Sequence, residues 1–67
     1  MNSAKDRAGH ALKVGDGVCY KDDVHHEQYG RIESIDDKGW MRVATRDPET
    51  SMPTTVHLHQ TEVWFNG

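Results

Sequence analysis

Scarcity is the first feature of this sequence. Its 67 residues hold a single cysteine, Cys19. No intramolecular disulfide can form, which fits a reducing compartment such as a cytoplasm. There are only two prolines, Pro48 and Pro53, and five aromatic residues of the Phe, Trp and Tyr type. Apolar residues make up 34% of the chain, and no uninterrupted apolar run exceeds three residues. Such runs are too short for a membrane-spanning helix or a signal-peptide core. A basic excess is also missing. The formal net charge is −3, whereas a general nucleic-acid binder usually carries a basic face. A chain of this length makes one domain and buries only roughly 60% of its unfolded surface. Homo-oligomerisation is one route to the missing burial.

What is present is a hairpin pattern. Tyr29 to Val43 reads as two runs of period-2 apolar character around Asp36-Asp37-Lys38-Gly39. Asp starts turns by bonding its own backbone, and glycine accepts a positive φ without steric cost. Ile32 and Ile35 cannot share a face under strict alternation, so a β-bulge is expected at Glu33-Ser34. Before the hairpin, Gly15-Asp16-Gly17 signals a turn, a strand is expected at Val18–Tyr20, and Lys21–Gln28 reads as a polar loop. After it, Arg46–Pro53 reads as a loop and Thr55–His59 as an alternating strand. Gln60-Thr61-Glu62 suits one 3₁₀ turn, and Val63–Phe65 a last strand. Residues 1–12 carry no apolar stripe and are expected as a flexible tail, with a short helix over Ala4–Leu12 as the alternative. The expected core is Val14, Val18, Tyr20, Ile32, Ile35, Met41, Val43, Val56, Leu58, Val63 and Phe65. Cys19 is expected on the outside.

Alternation also fixes what faces out. With Ile32, Met41, Val43, Val56 and Leu58 inward, Arg31, Trp40, Arg42, Arg46, His57 and His59 point outward. These are the candidate ligand-binding residues: a cationic and aromatic patch on an acidic chain, suited to stacking and to phosphate or carboxylate contact. His57-x-His59, with His25-His26 in the loop, has zinc-like spacing, but no complete ligand set accompanies it, so no metal is expected. Asp22-Asp23 and Asp36-Asp37 sit in expected turns and not in a pocket that could separate their pKa values. No catalytic residue and no cofactor are assigned.

The strand order resembles that of SH3-like small barrels. The residues that carry the resemblance are Val14-Gly15-Asp16-x-Val18, Gly30-x-Ile32, Gly39-Trp40-x-x-Val43, and Val56-x-Leu58 with the 3₁₀ turn, so that residues 13–67 form the barrel. The resemblance implies an all-β, five-stranded barrel. Such barrels host many unrelated functions. The expected function is a non-enzymatic binding or adaptor module that recognises a protein partner through an exposed sheet face. The alternative is a nucleic-acid-binding barrel using Trp40 and the neighbouring arginines, in the manner of Tudor-like and KOW-like barrels. A narrower resemblance is to plasmid-encoded type II dihydrofolate reductases, whose Gly-Asp-x-Val, Gly-x-Ile and Val-Gln-Ile-Tyr runs look like Gly15–Val18, Gly30–Ile32 and Val56–His59. His57 stands where that family has Gln and His59 where it has Tyr. The architecture is therefore what is carried over, with an oligomeric enzyme of that kind as the third function alternative.

Overall fold

The computed structural model describes residues 4–22 and 26–66. Within them the chain forms β1 (Ala4–Lys5), β2 (Ala11–Leu12), β3 (Gly17–Asp22), β4 (His26–Ile35), β5 (Trp40–Arg46), β6 (Pro53–His59), a 3₁₀ turn (Gln60–Glu62) and β7 (Val63–Phe65). β1 and β2 pair with each other, and the other five strands make one sheet in the order β6-β5-β4-β3-β7. Every pairing is antiparallel. No helix in the described residues is long and apolar enough to cross a membrane.

The central hairpin forms where the sequence pattern places it. Ile32 pairs with Val43 and Ile35 with Met41, all four buried. The register slips between Ile32 and Ser34, so Glu33 is the extra residue and both isoleucines reach the core. Asp36 closes the turn by accepting the Lys38 and Trp40 N–H groups on Oδ1, each at 2.9 Å. These bonds, the Trp40 N–H foremost, hold its carboxyl below the usual carboxylate range. Gly39 completes the turn at φ +89°. Asp36→Ala is expected to lower the melting temperature measured by circular dichroism. Asp36→Asn, which keeps an acceptor oxygen, should lower it less.

The chain passes from the β6 edge to β7, at the opposite edge, through three residues of 3₁₀ turn. A flat five-stranded sheet would separate those edges by about 19 Å, four interstrand gaps. Three 3₁₀ residues advance only about 6 Å. The sheet therefore curls around its core at this end. The turn docks on the hairpin, with the Gln60 N–H donating to the Gly39 carbonyl at 2.7 Å. Curling stops short of the expected closed barrel, because among the described residues β6 and β7 form no ladder with each other.

Several expectations are revised. Of the loop expected at Lys21–Gln28, Lys21 and Asp22 belong to β3 and His26, Glu27 and Gln28 to β4, while residues 23–25 lie outside the described residues. Lys21 pairs with Glu27 and Asp22 with His26, and the opposite charges of the first pair offset poor strand propensity. Val14 is 57% exposed and not core. It sits at the tip of a turn in which the Lys13 N–H donates to Asp16 Oδ2 and the Gly15 N–H to the Ile32 carbonyl. Leu12, only 2% exposed, fills the core instead. Phe65 is exposed too, its ring stacked on His10 with centroids 4.1 Å apart. Cys19 faces away from the core cluster yet is buried, between its cross-strand neighbours Tyr29 and Trp64. Burial first, and then Glu27, push its thiol pKa up.

The segment read as tail is also different. Residues 1–3 lie outside the described residues, but residues 4–12 form β1, a turn and β2, and they bring Ala4 and Leu12 into the core. Among the described residues, Asp6 is the buried charged one. It accepts the Ala8 and His10 N–H groups on Oδ1 and, across 59 positions, the Phe65 N–H on Oδ2 at 2.8 Å. The Arg7 N–H donates to the Val63 carbonyl. The outer flank of β7 is thereby covered, which protects a sheet edge.

Candidate functional site

The outer face of β4, β5 and β6 collects most of the candidate residues. Register places Trp40 beside His59 and Arg42 beside His57 on neighbouring strands. Arg31 lies across from Ala44, diagonal to Arg42. Trp40, Arg42, His57 and Arg31 are exposed, Trp40 at 42%. An open cleft of about 320 Å³ borders the patch, lined by Arg42, Thr55, Val56 and His57. A larger depression, about 360 Å³ between His10, Leu12, Lys13, Asp16 and Phe65, lies away from these residues.

The indole is held from several sides. Its backbone N–H is fixed by Asp36. Its ring meets His59 edge-on, with centroids 5.0 Å apart at 71°, and His57 at 5.7 Å and 53°. Arrangements of this kind contribute roughly 0.5–1.5 kcal/mol each beyond area burial. Trp40 is thus a large apolar surface presented to water in a defined pose, with Arg42 about 7 Å further along the strand.

His59 belongs to the support. Its Nδ1 accepts the Thr61 N–H at 3.3 Å, and its Nε2 lies 3.0 Å from the Lys38 carbonyl. A carbonyl only accepts, so Nε2 carries the proton and the ring is the neutral Nε2–H tautomer. The Thr61 hydroxyl, 2.9 Å from Nδ1, then donates to it. Both ring nitrogens join the hairpin turn to the 3₁₀ turn, so His59 offers an incoming ligand ring surface and not a free nitrogen. Arg46 is likewise engaged, donating from Nη1 to the Ser51 carbonyl at 2.8 Å, at the far end of β5. Arg31, Trp40, Arg42 and His57 are thus exposed and gathered by the strand register, and Arg46 is exposed at the far end of β5.

Asp36 and the cleft residues Thr55 and Val56 join the site although sequence reading assigned them no part in it. For Asp36 a signal existed, an Asp opening a turn four residues before an aromatic. A second aromatic and cationic cluster lies on another part of the sheet. Arg7 stands over Trp64 at 4.6 Å, and the Lys21 ammonium is 5.9 Å from the same ring. Among the described residues no three His, Cys, Asp or Glu side chains converge as metal ligands. His25 and the side chain of His26 lie outside the described residues.

In comparisons with known proteins, the chain matches no family model, no curated protein and no solved structure.

Proposed function

We propose that this chain is a non-enzymatic binding module of SH3-like architecture that recognises a protein partner through the face bearing Arg31, Trp40, Arg42 and His57. The architectural part is supported by the order β7-β3-β4-β5-β6 with a 3₁₀ turn before the last strand. The functional part rests on one observation: an exposed indole, held by Asp36, His57 and His59, shares a sheet face with Arg42, which lines an open cleft together with His57. Trp and Arg are the residue types most enriched among interface hot spots, and a pre-ordered aromatic loses little rotamer freedom on binding. The flanking guanidinium groups favour a partner surface that carries carboxylates. Charge favours protein over nucleic acid, since the chain as a whole is acidic. A reducing cytoplasm is the compartment proposed, on the single cysteine.

Trp40→Ala is expected to weaken binding to a partner recovered by cross-linking by about 2 kcal/mol or more while the circular dichroism spectrum is retained. Affinity should fall only modestly between low and physiological salt. A steep log-linear loss with salt would instead place phosphate contacts at this face and favour nucleic acid. Unchanged affinity of Trp40→Ala for a verified partner would remove the face from consideration.

A further inference from the structure

The two edges of the five-stranded sheet are treated differently. β7 is covered by Asp6 and Arg7. β6 is the outermost strand on the other side, and no described residue pairs with its outer flank. Exposed edges are usually blunted by Lys, by Pro, by inward charges or by bulges, and on β6 only the first residue, Pro53, is of that kind. β6 reads Pro53-Thr54-Thr55-Val56-His57-Leu58-His59, with no Lys, Arg, Asp or Glu, and it pairs with β5 without a bulge.

Backbone parity shows which β6 groups face outward. The Trp40 N–H and carbonyl both bond to Asp36, and the His59 N–H goes to Glu62 Oε1, so the Trp40–His59 pair exchanges no ladder bonds. Bonded and non-bonded pairs alternate along an antiparallel ladder. The Arg42–His57, Ala44–Thr55 and Arg46–Pro53 pairs are therefore non-bonded as well, and Thr55 and His57 turn their N–H and carbonyl groups away from β5. Pro53 has no N–H to turn outward, and that of His59 is already taken. The open donors are thus those of Thr55 and His57, two positions apart and symmetric about Val56.

We propose that β6 pairs antiparallel with β6 of a second copy of this chain about a two-fold axis at Val56. Thr55 then faces His57 of the second copy and the reverse, so the four open donors meet four open carbonyls. Val56 and Leu58, half-buried at the rim of the core, gain cover in a domain short of apolar burial. Charge complements across the axis. The Glu33 carboxylate leans toward the edge, its Oε1 3.5 Å from Thr55 Oγ1. Thr55 stands opposite the second copy's His57, whose own neighbour is Arg42. Each copy's Glu33 is therefore directed at the other copy's His57–Arg42 pair, twice by symmetry. No charged side chain of β6 opposes its twin. The two Trp40 faces would then lie on one continuous sheet.

Sedimentation equilibrium on the full chain tests this. The expected mass is twice 7.6 kDa at high concentration, with reversible dissociation on dilution. Thr55→Pro removes an outward donor without touching the β5 ladder. It should raise the dimer dissociation constant about tenfold or more. The monomer's circular dichroism spectrum should persist. If Thr55→Pro fails to fold, the charge swap decides. Glu33→Arg and Arg42→Glu should each weaken the dimer, and the double variant should recover it. A monomer at every concentration overturns the proposal, and so does a dimer indifferent to both sets of substitutions. Partner binding by the Trp40 face is read separately by Trp40→Ala, so the failure of one leaves the other standing.

Discussion

Asp6→Ala is expected to cost about 2–3 kcal/mol, from the backbone donors left without an acceptor. Domains have on the order of 0.05–0.15 kcal/mol of stability per residue, so such a loss is a large fraction of what a chain this short can hold. Asp6 is 7% exposed, and its carboxylate serves three N–H groups. Two of them close the turn between β1 and β2, and the third belongs to Phe65 on β7. Without the carboxylate, water can reach the Ala8 and His10 donors. The Phe65 donor sits in the seam between the N-terminal segment and the sheet, where a replacement partner is harder to find. The melting temperature should fall by roughly 10–20 °C for a domain of this size. Burial alone would raise the Asp6 pKa, but the N–H groups of Phe65, His10 and Ala8, with the nearby His10 ring, outweigh it and leave the pKa below the ordinary value of 3.8. A depressed folded-state pKa stabilises the fold above the unfolded value and withdraws that support as pH falls through the folded one. Wild-type stability should therefore decline below about pH 4, and Asp6→Ala should flatten part of that decline. A variant that melts like the wild type at neutral pH would show that the N-terminal segment contributes nothing to the fold.

The same carboxylate marks the boundary of what sequence reading could reach. Alternation, turn chemistry and the conflict between Ile32 and Ile35 are local signals, and they located the hairpin, the bulge at Glu33 and the 3₁₀ turn. They also placed Trp40, Arg42 and His57 on the outside, because side-chain facing in a strand follows from period 2 once one residue is assigned. The bond from Asp6 to Phe65 spans 59 positions and leaves no periodic trace. A segment whose large apolar residues are Met1 and Leu12, one at each end, therefore reads as tail. Val14 belongs to the core expected from sequence, but the bonds of the Gly15-Asp16-Gly17 turn hold it outward. His59 is an intermediate case. Its place on the strand was legible, whereas its bond to Lys38, 21 residues away, depends on how the 3₁₀ turn docks.

Gly30→Ala is expected to be the most damaging single methyl in the chain. A Cβ at this position would lie 2.5 Å from Val43 Cγ1, 2.7 Å from the Ala44 carbonyl oxygen and 3.3 Å from Thr45 Cβ. Contacts below 3.0 Å require something to move. Val43 is fully buried in the core, and the Ala44 oxygen belongs to the backbone of β5, which is paired on both sides by β4 and β6, so neither yields cheaply. Overpacking of a well-packed core costs about 1–3 kcal/mol, occasionally more, and a backbone obstacle places Gly30→Ala at the upper end. Its effect also differs in kind from that of a surface glycine, since the missing side chain leaves room for Val43 and the Ala44 carbonyl of the neighbouring strand. Val43→Ala removes the nearer obstacle but opens a cavity, and alone it should cost about 2 kcal/mol. Combined, the two substitutions should cost clearly less than their sum, because the truncated Val43 makes room for the new methyl while the Ala44 oxygen still obstructs it. Urea unfolding of the four proteins measures this cycle. Additive losses, or a Gly30→Ala variant as stable as the wild type, would mean that β4 and β5 do not approach each other at Gly30 as closely as the fold requires.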